Sequence, residues 1–466
     1  MIPEITSLDL LTASEALKRQ DFSALALTEA SLRQIERLNP LLNAFITPTP
    51  EVACQQALSV DALLALQPPN LKDLTLLGMP VAIKDLFETA GILTTAGASI
   101  FSRNVPAEDA QAVQKIKLAG AILVGKTNMH EIALGVTTVN PHYGTCRNPW
   151  NPDLISGGSS GGSAVAVATG MSLAALGTDT GGSIRIPAAL CGVVGLKPTF
   201  GRVSGRGVIP LSWNLDHVGP LTRTVRDAAR MLTVLAGFDP HDPASVNFPV
   251  DDYSTHLEDN VRGLRVAVAV GEYVESIDSE VRNVVETAIQ AFKELGAILE
   301  KVDCSWLEAM ALANSRMTQA DGAAYYREQL SFHPGMFGSD VRQRLENGAA
   351  VTSSEYVLAR QKQSESRRFC EQLFEKYDIL LLPTTPISAP KVEDTQAIEA
   401  ARQLTRFTAP FNLTGLPALS VPCGFTASNL PIGLQIVAKH WGEAKILQAG
   451  NAYQSVTNWH KKHPDM

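Results

Sequence analysis

No cysteine pair stands at metal-binding or redox spacing. The six cysteines, Cys54, Cys146, Cys191, Cys304, Cys370 and Cys423, are scattered through 466 residues without a CxxC. That distribution fits reduced thiols in a reducing compartment, each acting as a small buried hydrophobe. The nine histidines are equally dispersed and make no HExxH or related ligand spacing, so neither a metal nor another cofactor is expected. Excess positive charge is missing too: 39 Lys and Arg face 47 Asp and Glu, a net of −8. Such a field repels nucleic-acid phosphates and acidic membrane surfaces, so neither is an expected partner. Met1 to Arg19 has no uninterrupted apolar run of the kind a signal peptide or anchor needs, which predicts a cytoplasmic protein. No charge block or low-complexity linker divides the chain, and one large domain over residues 1–466 is expected.

What is present is 45% hydrophobic and 18% charged, enough apolar material for a large core. Residues 20–38 predict a helix ending before Asn39-Pro40, within a helical N-terminal segment of about 1–60 packed on the rest. Pro80–Ile83, Ala121–Val124, Leu173–Leu176, Val266–Val270, Ala297–Val302, Asp378–Leu382 and Ala418–Pro422 read as short strands, most of them buried on both faces. Residues 108–120 and 279–295 carry helical spacing between them. The sum is an α/β protein with a large sheet between helical layers. Residues 238–262, with Pro240, Pro243 and Pro249, predict a surface crossing.

Two segments carry the chemistry. Residues 156–163 read Ser-Gly-Gly-Ser-Ser-Gly-Gly-Ser, and residues 177–185 read Gly-Thr-Asp-Thr-Gly-Gly-Ser-Ile-Arg. A flexible linker is a poor account of the first, because it runs straight into the small-residue helix at Ala164–Ala168. In the second, Thr180, Gly181, Gly182 and Ser183 offer consecutive main-chain donors beside a hydroxyl, as an oxyanion hole requires. A serine needs a base, and no histidine lies near either motif in sequence. Lys84 closes an apolar strand, where desolvation disfavours its ammonium form. On position alone it reads rather as a snorkelling lysine paired with Asp85.

Lys84, the 157–163 loop and the 177–185 segment resemble the defining motifs of the amidase-signature family. The spacing between the three agrees. So do Thr127-Asn128-Met129, residues 146–150, residues 195–199 and the late Pro410 to Pro417 stretch, so the similarity covers nearly the whole chain. The resemblance implies a mixed sheet and a Ser–cis-Ser–Lys triad: Ser183 as nucleophile, Ser159 as proton relay after a cis Gly158–Ser159 bond, and Lys84 as base. It also implies an oxyanion hole from the N–H groups of Thr180, Gly181, Gly182 and Ser183, and an acyl-enzyme intermediate. Asp179 and Arg185 either brace this turn or are separate surface groups.

The reaction expected is hydrolysis of a small carboxylic amide, with esters and carbamates open to the same triad, by a monomer or homodimer. Met129, Ala133 and Gly158 are the expected substrate contacts. An acyl pocket is expected along residues 129–136 and the 305–345 region, where Met310, Met317, Tyr325, Tyr326, Phe332, Met336 and Phe337 cluster. The main alternative is the A subunit of a tRNA-dependent amidotransferase, which uses the same triad to release ammonia from glutamine inside a complex; residues 202–213 and 408–412 look more like stand-alone amidases. Three other motifs match in letters only. Residues 120–127 spell a P-loop, but over an apolar strand. Residues 157–161 spell a nucleophile elbow, which would make Ser159 the nucleophile with His217 or His440 as base, but no buried strand leads into it. Ser388 to Lys391 has SxxK spacing spoiled by Pro390.

Overall fold

The computed structural model describes residues 8–66, 74–255, 257–258, 260–393 and 396–466; the first seven residues of the expected N-terminal helical segment lie outside them. Eleven strands form one mixed sheet: β1 (Phe45–Pro48), β2 (Pro80–Lys84), β3 (Ile122–Thr127), β4 (Ala174–Asp179), β5 (Val194–Lys197), β6 (His217–Thr222), β7 (Arg265–Val270), β8 (Ile298–Asp303), β9 (Ile379–Pro383), β10 (Ala418–Phe425) and β11 (Pro431–Val437). Their order is β1-β3-β2-β4-β6-β5-β10-β11-β9-β7-β8. β2 runs parallel to β3 and β4 on its two sides, and the remaining central pairings are antiparallel. All residues of β2, β3 and β4 are buried. Since successive side chains point to opposite faces, helices cover both faces there. The chain is a single large α/β domain.

Every strand expected from an apolar run is present. The strands that were not expected, β1, β5, β6 and β11, are short or interrupted: β6 carries Gly219 and Pro220, and β11 opens on Pro431. Pro220 sits opposite Leu176 of β4, so neighbours rather than local propensity make it a strand. The N-terminal segment is not wholly helical, because β1 pairs with β3 at the sheet edge. The helix expected over 20–38 runs Ala24–Leu42, past Asn39 and Pro40, between helices at Leu10–Lys18 and Pro50–Leu66. Leu42 is fully buried, and the Asn39 side chain accepts from the Phe45 N–H at 2.7 Å and donates back to its carbonyl. Those contacts outweigh the single helical hydrogen bond that Pro40 forfeits, and Asn43 then ends the helix in the left-handed region at φ 50°. Residues 238–262 contain no α-helix or strand among the described residues. Five of the six thiols are buried, Cys54 only partly. Among the described residues, no helix is long and apolar enough to cross a membrane.

The register explains where chemistry collects. Because β2 and β4 are parallel, with Ile83 opposite Leu176, Lys84 and Thr178 leave the same edge of the sheet. β6 is antiparallel and starts opposite Asp179, which puts Asp216 at that edge as well. Chain ends of adjacent parallel strands are where open α/β sheets gather ligands.

Candidate active site

Lys84 is fully buried. Its Nζ lies 2.7 Å from both Ser159 Oγ and Thr178 Oγ1. Burial is the largest influence on it and draws its pKa down to about 7 against the opposing pull of Asp216 and Asp179. An amine so placed exchanges its proton near neutrality, as a general base must. Asp85, the partner a snorkelling lysine would have used, turns elsewhere: it lies 3.4 Å from Lys126 Nζ and accepts from the Thr95 N–H at 2.9 Å.

The serine loop hangs on β4. Ser160 Oγ bonds the Thr178 carbonyl at 3.2 Å, the Ser160 N–H donates to the Ser183 carbonyl at 3.1 Å, and Ser163 Oγ donates to the Leu176 carbonyl at 2.9 Å. These contacts bring Ser159 and Ser183 onto neighbouring strands of main chain, and the Gly158–Ser159 bond is cis. The helix that follows, Gly161–Ala168, starts against backbone: a Cβ on Gly162 would sit 2.5 Å from the Asn128 carbonyl oxygen. Only glycine allows that approach.

Residues 180–183 form the turn beyond β4. The N–H groups of Ile184 and Arg185 are held by Asp179 Oδ2 at 3.1 and 3.3 Å. The carbonyls of Thr180 and Gly181 are pinned by Asn314 Nδ2 at 3.2 Å and Thr408 Oγ1 at 2.6 Å. In a trans peptide the next N–H points opposite to the carbonyl, so the donors of Gly181 and Gly182 face away from those clamps. Gly182 has φ 136°, and a Cβ there would lie 2.6 Å from Ile186 Cδ1 and still closer to Thr408 Oγ1. Gly182→Ala is therefore expected to rotate this turn and lower kcat about 10²-fold, a loss of the size seen on removing one oxyanion donor; steady-state kinetics checks it, and an unchanged kcat would remove the turn from the reaction.

Thr180, Gly181 and Ser183 open onto a cavity of about 780 Å³. Its wall includes Ala133 to Val136, the polar side of the helix Leu307–Tyr325 (Glu308, Asn314, Ser315, Thr318), Arg344, and Arg402, Thr405 and Arg406. Of the expected substrate contacts, Ala133 lines this wall. Met129 is fully buried in the main core, and Gly158 lies against Thr138; neither belongs to the wall. The 305–345 region does contribute, mostly through polar residues together with Ala311 and Leu312, while Met310 and Met317 belong to a separate core cluster. Sequence reasoning missed residues 398–406, which carry no motif of their own.

The rival arrangements do not assemble. His217 Nδ1 donates to the Leu215 carbonyl at 2.6 Å and His440 Nε2 to the Thr414 carbonyl at 3.0 Å; burial pushes both toward the neutral form, His217 strongly, and neither bonds Ser159. Residues 122–127 of the P-loop lookalike are the buried strand β3. Lys391 of the SxxK lookalike forms an isolated bridge with Leu154, outside any helix. Asp179 and Arg185 are not separate surface groups: both are fully buried and joined at 2.8 and 3.0 Å.

Comparison with known proteins shows the family. A model of the amidase family matches residues 26–447. The glutamyl-tRNA(Gln) amidotransferase A subunit of Roseiflexus sp. (strain RS-1) is 41% identical, the alignment covering 98% of each chain. Among solved structures, a chain of a vestigial protein complex that bears on the origins of an s-triazine catabolic enzyme superposes with TM-score 0.91 at 34% identity, covering 96% of this chain and 98% of the other. The glutamyl-tRNA(Gln) amidotransferase A subunit of Thermotoga maritima gives TM-score 0.84 at 33% identity, covering 98% and 96%. The chain thus belongs to the amidase family of amidase-signature enzymes, which act on carbon–nitrogen bonds other than peptide bonds.

Proposed function

We propose that this chain cleaves the C–N bond of a small polar carboxylic amide by acyl transfer through Ser183. The observation that carries the reading is the 2.7 Å bond from a fully buried Lys84 to Ser159, whose neighbour Ser160 holds the carbonyl of Ser183, a serine that opens onto a cavity. Ser183 Oγ attacks the carbonyl carbon; its proton passes to Ser159 Oγ, and the Ser159 proton passes to Lys84 Nζ. The N–H groups at 180–183 receive the oxyanion. On collapse the C–N bond breaks, the leaving amine takes a proton from Ser159, and Lys84 resupplies Ser159. Water then attacks the acyl ester along the same relay, freeing the acid and Ser183. Because the base must be neutral, kcat/KM is expected to rise through a single ionisation near pH 7 and level off above it; a pH–rate profile flat on both sides of neutrality would contradict the role of Lys84.

Two settings suit this chemistry. Full-length identity of 41% to a protein named as the A subunit of an amidotransferase favours ammonia release within a complex over a stand-alone amidase. The cavity supports the same choice: its lining carries both Arg344 and Arg406 and Glu308 and Glu399, and such a mixed lining suits an amide bearing both a carboxylate and an ammonium group, as glutamine does. The stand-alone reading is supported by likeness to a bacterial aryl acylamidase, at TM-score 0.89 and 26% identity. Ammonia or amine release by the purified chain, measured on glutamine, simple primary amides, aryl amides, esters and carbamates, separates them. Glutamine-only turnover, raised by a copurifying partner protein, is the expected result. Comparable kcat/KM on aryl amides by the isolated chain would sink the amidotransferase setting.

A further inference from the structure

Behind the catalytic edge lies a second cavity, of about 630 Å³, that the reaction above does not use. Its walls are largely apolar, with Phe200, Val208, Pro210, Trp213 and Val218 among them. Thr178, which bonds Lys84, and Asp216, which accepts from Thr180 Oγ1 at 2.5 Å, form part of the same lining. It therefore abuts both halves of the candidate active site without including Ser183.

The charged groups in this lining differ in their partners. Arg206 is consumed by Asp239, at 2.8 Å, and by Gln111. Asp216 is partly exposed; burial raises its carboxyl pKa, and its hydrogen bonds and the nearby Lys84 oppose that shift. It accepts from the Leu211 and Ser212 N–H groups at 2.8 and 3.0 Å, and Asp242 accepts from the N–H groups of Gly205 and Ala244. Neither carboxylate forms an ion pair among the described residues. Hydrogen bonds from neutral donors orient a carboxylate without cancelling its charge. A carboxylate bordering an aromatic, apolar pocket selects a cation with an apolar body, through charge attraction and the electron-rich faces of the rings.

We propose that this cavity is a second ligand site, taking an organic ammonium ion whose charged head sits on Asp216 and whose apolar body packs against Phe200 and Trp213. Binding does not depend on the proposed reaction, so it is measured where no turnover occurs. Calorimetric titration of full-length Ser183→Ala chain with benzylammonium and with benzyl alcohol, at neutral pH, is the test. Benzylammonium is expected to bind at one site at least about tenfold more tightly than the alcohol, a difference of about 1.4 kcal/mol. Asp216→Asn should erase that preference. Trp213→Ala, at a side chain that is 57% exposed, should weaken amine binding several-fold with the melting temperature unchanged, and it decides the matter alone if Asp216→Asn does not fold. No amine binding in the millimolar range, equal affinity for amine and alcohol, or amine binding indifferent to Trp213→Ala would overturn the proposal. Amide turnover of the wild-type chain is a separate measurement, so loss of either reading leaves the other standing.

Discussion

Ser183→Ala is expected to lower kcat/KM by about 10⁴-fold or more on any amide the chain turns over, the loss typical of removing a serine nucleophile. The fold should tolerate it. What Ser183 contributes to packing runs through its main chain, whose carbonyl accepts from Ser160, while its side chain faces the cavity. A melting temperature within a few degrees of wild type would attribute the loss to chemistry. Lys84→Met should be nearly as severe, and the double variant no worse than either single one, because a nucleophile and its base act as a unit. The outcome also separates two serines. If an activated acyl substrate trapped on the wild-type chain appears by mass spectrometry on the peptide holding Ser159, the nucleophile-elbow arrangement is restored. Full activity in Ser183→Ala would end the proposed mechanism.

Legibility followed physical locality. The two glycine-rich segments were visible because backbone approach and main-chain donation demand glycine at fixed positions, and Gly162 and Gly182 are where a Cβ would collide. Lys84 was half visible: its residue type and its place at a strand end were plain, but whether it paired with Asp85 depended on Lys126, far along the chain, which takes that carboxylate. The buried strands announced themselves by apolar runs, whereas β5 and β6 exist because β4 and β10 offer them partners. The substrate cavity was the least legible part. Its aromatic and methionine residues were the expected wall, yet a helix such as Leu307–Tyr325 has two faces, and the hydrophobic one was claimed by the core. That left Glu308, Asn314 and Thr318 to the cavity, and residues 402–406 joined them from a segment with no sequence signal.

Asp179→Asn is expected to destabilise the protein by about 3 kcal/mol or more, and to impair turnover together with stability. Asp179 and Arg185 are both fully buried. Burial opposes ionisation of the Asp179 carboxyl, but the Arg185 guanidinium and the Asn412 amide outweigh it and hold the group well below the usual carboxylate range. Asparagine would keep one acceptor and remove the only carboxylate that pairs with Arg185 among the described residues, leaving a buried cation to Asn412 and Gln435. The same side chain fixes the N–H groups of Ile184 and Arg185, so the donors at 180–183 should shift with it. The sign of the pH dependence follows from the lowered value. Stability from this ionised pair is present above the unfolded carboxyl pKa, near about 4, and is lost as pH falls from there toward the native value. The gap in unfolding free energy between wild type and Asp179→Asn should therefore be full at neutral pH and narrow below about pH 4. If urea melts give equal midpoints for the two proteins at neutral pH, the pair does not brace the turn.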